Sequence, residues 1–252
     1  MSDPTSRFSN RVENYVRYRP GYPREVIAAL TAECGLSPSS IVADLGSGTG
    51  LLTELFLANG NRVFALEPNA EMRAAGERLL GNHAGFTSLT ATAEATGLPD
   101  GSVDLIAAGQ AFHWFDRPRC RAEFLRILRP DGWIALVWND RRTDTTPFLV
   151  EYEQLLRDYA TDYALVDHKQ IDEAVLREFF GRAPVRRVFA NFQRFDFNGI
   201  RGRVLSSSYM PEAGQPRYEP MLQALRMLFE KHQQDGAVTL EYDTLLFVGR
   251  LG

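Results

Sequence analysis

The sequence predicts an α/β fold: a doubly wound parallel sheet with helices on both faces. Three observations lead there. Short apolar runs alternate with helical patterns across residues 36–140, a glycine-rich turn closes the first of these runs, and two longer alternating segments follow later in the chain. Strand and helix in alternation is the pattern of parallel βαβ units.

The elements follow in order. A helix over Pro23–Cys34 leads to the first strand, Ile41–Leu45, and a helix over Leu51–Asn59. Next come a strand at Arg62–Leu66 and a helix at Ala70–Leu80, where Met72, Ala75 and Leu79 share a face. Asn69 suits the N-cap of that helix, with Glu71 in its first turn. Strands at Phe86–Ala91, Val103–Ala108 and Trp133–Trp138 and a helix at Pro118–Leu128 complete the alternating part. Thr146–Ala160 then carries Phe148, Tyr152, Leu155, Leu156 and Tyr159 on one stripe, and Asp172–Phe180 reads as a further helix. Val185–Phe197 alternates at Val188, Ala190 and Phe192 and then slips to Phe195 and Phe197, which predicts a bulge. Ala237–Arg250 alternates at Val238, Leu240, Tyr242, Thr244, Leu246 and Val248. The expected organisation is a single domain. Its core covers about 36–140, a helical cap comes from 1–35, 141–183 and 199–235, and the final strands lie at 185–197 and 237–250.

Composition narrows the function classes. At 252 residues, 44% hydrophobic and 24% charged, the chain has ordinary globular usage and enough length for a full core. A net charge of -4 argues against a nucleic-acid partner, and no Asn/Asp-Pro-Pro-Tyr stretch of the amino-methylating DNA enzymes is present. Cys34 and Cys120 are far apart, and His83, His113, His168 and His232 lack ligand spacing, so no metal site is expected. The opening MSDPTSRFSNRV lacks the apolar core of a signal peptide, and no apolar run approaches the roughly 18 residues of a membrane span. A cytoplasmic protein without a membrane partner is the expectation.

The turn Asp44-Leu45-Gly46-Ser47-Gly48-Thr49-Gly50 carries the chemistry. Gly46 and Gly48 let the backbone turn sharply and approach a ligand, and the helix that follows offers N–H groups at its start. The dinucleotide fingerprint G-x-G-x-x-G needs a glycine where this chain has Leu51. A nicotinamide oxidoreductase therefore fits the fold but not the glycine spacing. The D-x-G-x-G-x-G pattern instead resembles motif I of the class I S-adenosylmethionine-dependent methyltransferases, in which this loop wraps the methionine part of the cofactor. Glu67, ending the second strand, can accept two hydrogen bonds from a ribose diol, although a NAD enzyme would use an acid the same way. Ala93 and Glu94, after the third strand, occupy the place where the family meets the adenine edge; Glu94 also reads as a cap or surface acid. Tyr242–Gly249 resembles the family's antiparallel last strand, which implies a Rossmann-like seven-stranded sheet of order 3-2-1-4-5-7-6. The likeness covers roughly residues 36–140. Tyr15–Pro23 (YVRYRPGYP) and the HWFD piece resemble the smaller methyltransferase type 11 and trans-aconitate methyltransferase-like branch.

The resemblance implies S-adenosylmethionine as cofactor, S-adenosylhomocysteine as product and a small-molecule acceptor, for which a carboxylate is one candidate. Ser47 and Gly50 in the loop, with Pro68 and Met72 beside Glu67, belong to the expected cofactor set, as do Gln110 and Ala111 by family position. Tyr18 and Arg19 are expected to close over the cofactor, Arg19 through a bidentate grip on its carboxylate. The stretch Gly109–Asp116, GQAFHWFD, packs four rings into a loop. Phe112 reads as core. His113 and Trp114 read either as packing or as the wall of the methyl-transfer chamber, with His113 as general base if the acceptor arrives protonated. Tyr15, Arg201 and Tyr209 are further candidates for the acceptor. A non-catalytic S-adenosylmethionine-binding sensor or assembly protein would need the same loop but no open chamber.

Overall fold

The computed structural model describes residues 11–161 and 172–252. Parts of the expected cap at 1–10 and 162–171 lie outside the described residues. Nine helices occur among the described residues: α1 (Val12–Tyr18), α2 (Glu25–Cys34), α3 (Leu51–Ala58), α4 (Ala70–Leu80), α5 (Arg117–Ile127), α6 (Pro147–Tyr159), α7 (Glu173–Phe180), α8 (Phe197–Leu205) and α9 (Tyr218–His232). The strands are β1 (Ile41–Leu45), β2 (Arg62–Leu66), β3 (Phe86–Leu89), β4 (Val103–Gly109), β5 (Leu128–Arg141), β6 (Val185–Phe195) and β7 (Val238–Gly249). They form one sheet of order β3-β2-β1-β4-β5-β7-β6, as expected. β1 to β5 are mutually parallel, and β7 runs antiparallel to both β5 and β6.

Both faces of the central strands are covered, which is why β1 and β4 read as continuous apolar runs. On one face Phe112, Phe124, Ile127, Phe179 and Phe180 pack around Ala43, Leu45, Ile106 and Leu136. On the other, Val26, Leu30, Leu52 and Phe56 pack around Val42, Leu105 and Val137. A third cluster joins α6, α8 and α9 to the β7 residues Leu240 and Tyr242, and the stripe Phe148, Tyr152, Leu155 and Leu156 is its α6 side. Among the described residues no helix is long and apolar enough to cross a membrane.

Local sequence explains the helix starts. Asn69 caps α4 by accepting from Met72 N at 2.9 Å, Asp116 caps α5 ahead of Pro118, and Thr146 caps α6 ahead of Pro147. Two expectations are corrected. The bulge foreseen within 185–197 is absent: β6 pairs with β7 in one unbroken register from Val185↔Val248 to Phe195↔Val238. The change of parity at Phe197 marks the start of α8, which Asp196 caps by accepting from Gly199 N at 2.7 Å. The register does shift elsewhere, between Val103 and Leu105 where β4 meets β5. On α4, Leu79 is 52% exposed and Leu80 takes the buried position, packed beneath Gly50. Residues three and four apart lie on one helical face, and spacing alone does not choose between two adjacent leucines at its edge.

Candidate active site

The strand order reverses between β1 and β4, and a cleft opens there at the carboxyl ends of the strands, where open α/β sheets bind ligands. It is lined by Asp44, the loop residues 46–49, Leu51, Leu52, Gly109, Tyr15 and Tyr22. Gly46, Gly48 and Gly50 all have positive φ, at 66°, 58° and 91°. A Cβ on Gly46 would stand 2.7 Å from the Ala111 Cβ, and one on Gly50 would stand 2.4 Å from Leu80 Cδ1. The glycines therefore serve both conformation and close packing.

Four of the loop amides are already engaged. Gly46 N and Ser47 N donate to Leu66 O at 2.9 and 3.0 Å, Gly50 N donates to Ser47 O at 2.9 Å, and Gly48 N donates to Glu67 Oε2 at 2.9 Å. Nucleotide-binding loops that cradle phosphate leave such amides open. Among the described residues lining this cleft, Asp44 is the only charged side chain. Two buried polar atoms on its wall, Asp44 Oδ1 and Thr49 Oγ1, have no hydrogen-bond partner. Asp44 Oδ2 accepts from the Thr53 hydroxyl at 2.6 Å. Burial pushes the Asp44 carboxyl up to about 7, with the Glu67 charge adding to the rise and the Thr53 hydroxyl opposing it. Glu67, 8% exposed, also accepts from Asn69 N at 2.8 Å; burial raises its carboxyl against the pull of the Asn69 and Gly48 amides. Each Glu67 oxygen keeps a further lone pair. Pro68 is half-buried beside it, and Met72 is buried with its Cε at 3.3 Å from the place a Gly48 Cβ would take.

The aromatic loop leaves β4 through Gln110, a non-glycine residue at φ 55°. Its amide donates to Val137 O at 2.9 Å and its Nε2 to Asn139 O at 3.1 Å, so β5 holds the strained residue in place. Phe112 is fully buried and meets Phe115, Trp138 and Phe179 edge to face, as a core residue. That anchor leaves its neighbours in a short 3-10 turn, with His113 and Trp114 half-buried and their ring centroids 4.8 Å apart. Glu94 Oε1 accepts from Asp116 N at 2.9 Å, which ties the end of this loop to the stretch after β3. Ala93 is buried in the core beneath it.

The N-terminal arm divides between cleft and cap. Tyr15, expected at the acceptor, lines the glycine-loop cleft. Tyr18, expected over the cofactor, is instead wedged into the cap: a Cβ on Gly202 would lie 2.0 Å from its Cε2, and its ring meets Phe195 edge-on. Arg19 also turns to the cap, donating through Nη2 to Ser206 O at 3.0 Å. Arg201 is exposed on α8, and it is Arg203 that is buried there. Helical spacing puts these two on different faces, and the apolar neighbours Ile200 and Val204 turn the Arg203 side inward. Tyr209 is half-buried against the cap cluster, its carbonyl accepting from Thr161 N at 2.9 Å. Sequence reasoning passed over Tyr22, although it lay inside the quoted Tyr15–Pro23 stretch. A Cβ on Gly109 would meet its hydroxyl at 2.6 Å, so Gly109 makes room for it in the cleft. Burial drives the Tyr22 phenol well above its ordinary range, with Tyr15 and Asp44 adding to the rise.

Comparison with known proteins agrees with this geometry. The family described as methyltransferase domain matches residues 43–136, the segment that contains Asp44, the glycine loop, Glu67 and the aromatic loop. Residues 43–136 are thus similar to the methyltransferase domain. An uncharacterised methyltransferase of Schizosaccharomyces pombe is 33% identical over 150 residues, 59% of this chain and 58% of that protein. One of Mycobacterium bovis is 39% identical over 143 residues, 55% of this chain and 54% of the relative. The chain thus spans a little over half the length of these relatives. A type II methyltransferase candidate from Anaeromyxobacter dehalogenans has the same fold, with a TM-score of 0.66 at 23% identity over 93% of this chain and 98% of that one. The matched segment thus covers the central strands of the sheet, and α6, α8 and α9 lie outside it.

Proposed function

We propose that this chain transfers a methyl group from S-adenosylmethionine to a small-molecule acceptor. The observation that carries the reading is the character of the cleft. It offers an unpartnered carboxylate oxygen, an unpartnered hydroxyl and a glycine-lined wall with four engaged amides, and among the described residues lining it there is no cation to meet a pyrophosphate. A ligand that presents a cationic amine and sulfonium suits such a wall, and a dinucleotide does not. S-adenosylmethionine supplies a methyl already activated on sulfur.

The chain's own residues bind and orient. Asp44 Oδ1 and Thr49 Oγ1 gain partners from the amino-acid end of the cofactor, and Glu67 accepts from its ribose. Tyr15 and Tyr22 cover the cleft and exclude water. Ala93, Glu94, Gln110 and Ala111 shape the adenosine side, and His113 and Trp114 lie on the way to the acceptor. Rate enhancement then rests mainly on proximity and alignment. Thermal shift tests the cofactor. At one hundred times its dissociation constant, a ligand specific for the folded state adds about 2.7 kcal/mol. S-adenosylmethionine and S-adenosylhomocysteine should raise the midpoint and NADH should not; the reverse pattern rejects the reading. A labelled-methyl screen of small acids, amines and phenols then tests turnover, and cofactor binding with no transfer to any of them would favour a sensor.

A further inference from the structure

Residues 19–24 join α1 to α2 and bring Tyr22 into the cleft. Among the described residues, no backbone–backbone hydrogen bond reaches Pro20 or Gly21. Side-chain amides from β5 and β6 hold this stretch instead. Asn139 Nδ2 donates to Gly21 O at 3.1 Å and to Pro20 O at 3.4 Å, and Asn191 Nδ2 donates to Gly21 O at 2.9 Å. Just upstream, Gln193 Nε2 donates to Tyr18 O at 3.2 Å. Each amide grips a main-chain carbonyl, so the sheet fixes the path of the arm itself.

Asn139 is the centre of this set. It is 5% exposed, and its Oδ1 accepts from the Thr244 hydroxyl at 2.5 Å and from Asn191 Nδ2 at 3.2 Å. Both amide hydrogens and both oxygen lone pairs are therefore in use. The main-chain carbonyl of the same residue accepts from Gln110 Nε2 at 3.1 Å. Asn139 thus holds two walls of one cleft. Its side chain fixes the arm just before Tyr22, whose hydroxyl stands where a Gly109 Cβ would be. Its main chain fixes the strained residue that follows Gly109. An apolar side chain at this buried place would pack equally well but tie down neither carbonyl, whereas a satisfied polar network specifies one arrangement.

We propose that Asn139, backed by Asn191 and Thr244, is a positioning residue for cofactor capture: it clamps the arm at Pro20–Gly21 so that Tyr22 closes the cleft against Gly109. The inference rests on the reading of the cleft as the S-adenosylmethionine site. Asn139 acts through Tyr22 and touches no ligand itself. Its loss frees the arm to drift, and a small displacement of a covering group lets a bound ligand escape.

Asn139→Ala removes the side-chain grip and leaves the main-chain carbonyl for Gln110. Asn191→Ala is milder: it removes one donor to Gly21 O and keeps Asn139 in place. Calorimetric titration and stopped-flow displacement on the full chain read the affinity and release of S-adenosylhomocysteine. Asn139→Ala should weaken binding by about tenfold, mostly through faster release, and Asn191→Ala by about threefold. In a Tyr22→Ala background both losses should shrink to within about twofold, because the group they position is gone. Leu225→Ala is the control for lost stability alone. Leu225 is buried in the cap cluster and does not line the cleft, so this variant should unfold more easily yet bind as wild type does. Undiminished affinity in both asparagine variants, equal losses with and without Tyr22, or an equal loss in Leu225→Ala overturns the proposal. Trypsin cleavage after the exposed Arg24 needs no ligand and should be several-fold faster in Asn139→Ala. If the wild type does not bind S-adenosylhomocysteine while that contrast in cleavage persists, the cofactor reading alone falls. Unchanged cleavage in both asparagine variants overturns the clamp.

Discussion

Asp44→Asn separates binding from stability in a way that few substitutions at this cleft would. The wild-type carboxyl is fully buried, and its pKa is raised from 3.8 to about 7. The folded state therefore holds the proton more tightly than the unfolded state. The resulting stability is fully present below about pH 4 and is lost as pH rises through about 7. That difference corresponds to about 4 kcal/mol of stability forgone by the ligand-free protein at pH 8. Asparagine keeps the shape and still accepts from the Thr53 hydroxyl, but it buries an amide N–H at a cost of about 1–3 kcal/mol. The ligand-free variant should therefore match or exceed the wild type at pH 8 by about 1–3 kcal/mol, or several degrees of midpoint. Binding should move the other way. A cationic ligand group needs the ionised carboxylate, so wild-type affinity for S-adenosylhomocysteine should fall by up to about tenfold per pH unit below 7 and level off above it. Asp44→Asn should bind at least about tenfold more weakly at pH 8, with a flat profile over pH 6–8. Calorimetric titration and thermal denaturation across that range read both quantities. A variant that is less stable at pH 8 yet binds as tightly as wild type would refute the account of Asp44.

Other perturbations follow from the same geometry. Gly46→Ala combines a positive φ of 66° with a 2.7 Å approach to Ala111, and should cost about 1–3 kcal/mol from backbone strain alone as well as displacing the aromatic loop; urea unfolding checks it. Phe112→Ala empties a fully buried site and should cost about 3–5 kcal/mol in the same assay, whatever its effect on turnover. His113→Ala should leave cofactor affinity unchanged. If the acceptor is an ionised acid, it should also keep turnover within a few-fold, because no proton needs removing; a loss above about a hundredfold in labelled-methyl transfer would make His113 a general base.

The parts of this protein legible in the sequence are those governed by local rules. The glycine loop could be placed because Gly46, Gly48 and Gly50 need positive φ, and Asn69 because a cap bonds two or three residues ahead. Strand and helix alternation predicted the doubly wound sheet, and the resemblance of the glycine loop and the last strand to the methyltransferase family implied its order. The parity change at Phe197 was legible but ambiguous, since a bulge and a helix start leave the same mark in a period-2 pattern. Where Tyr18 and Arg19 point was not legible, because an arm outside the repeating units has no periodicity to orient it. Which way each side chain turns depends on α8, which is far away in sequence.

By itself, then, the sequence determined the fold and the conformation of one loop, because short-range geometry is written into neighbouring residues. Only the tertiary structure decided that Tyr22 joins the cleft and that Arg19 and Arg203 meet around the Ser207 hydroxyl. Burial depends on what long-range packing brings together, and residues 19 and 203 become neighbours only once α1 packs on α8.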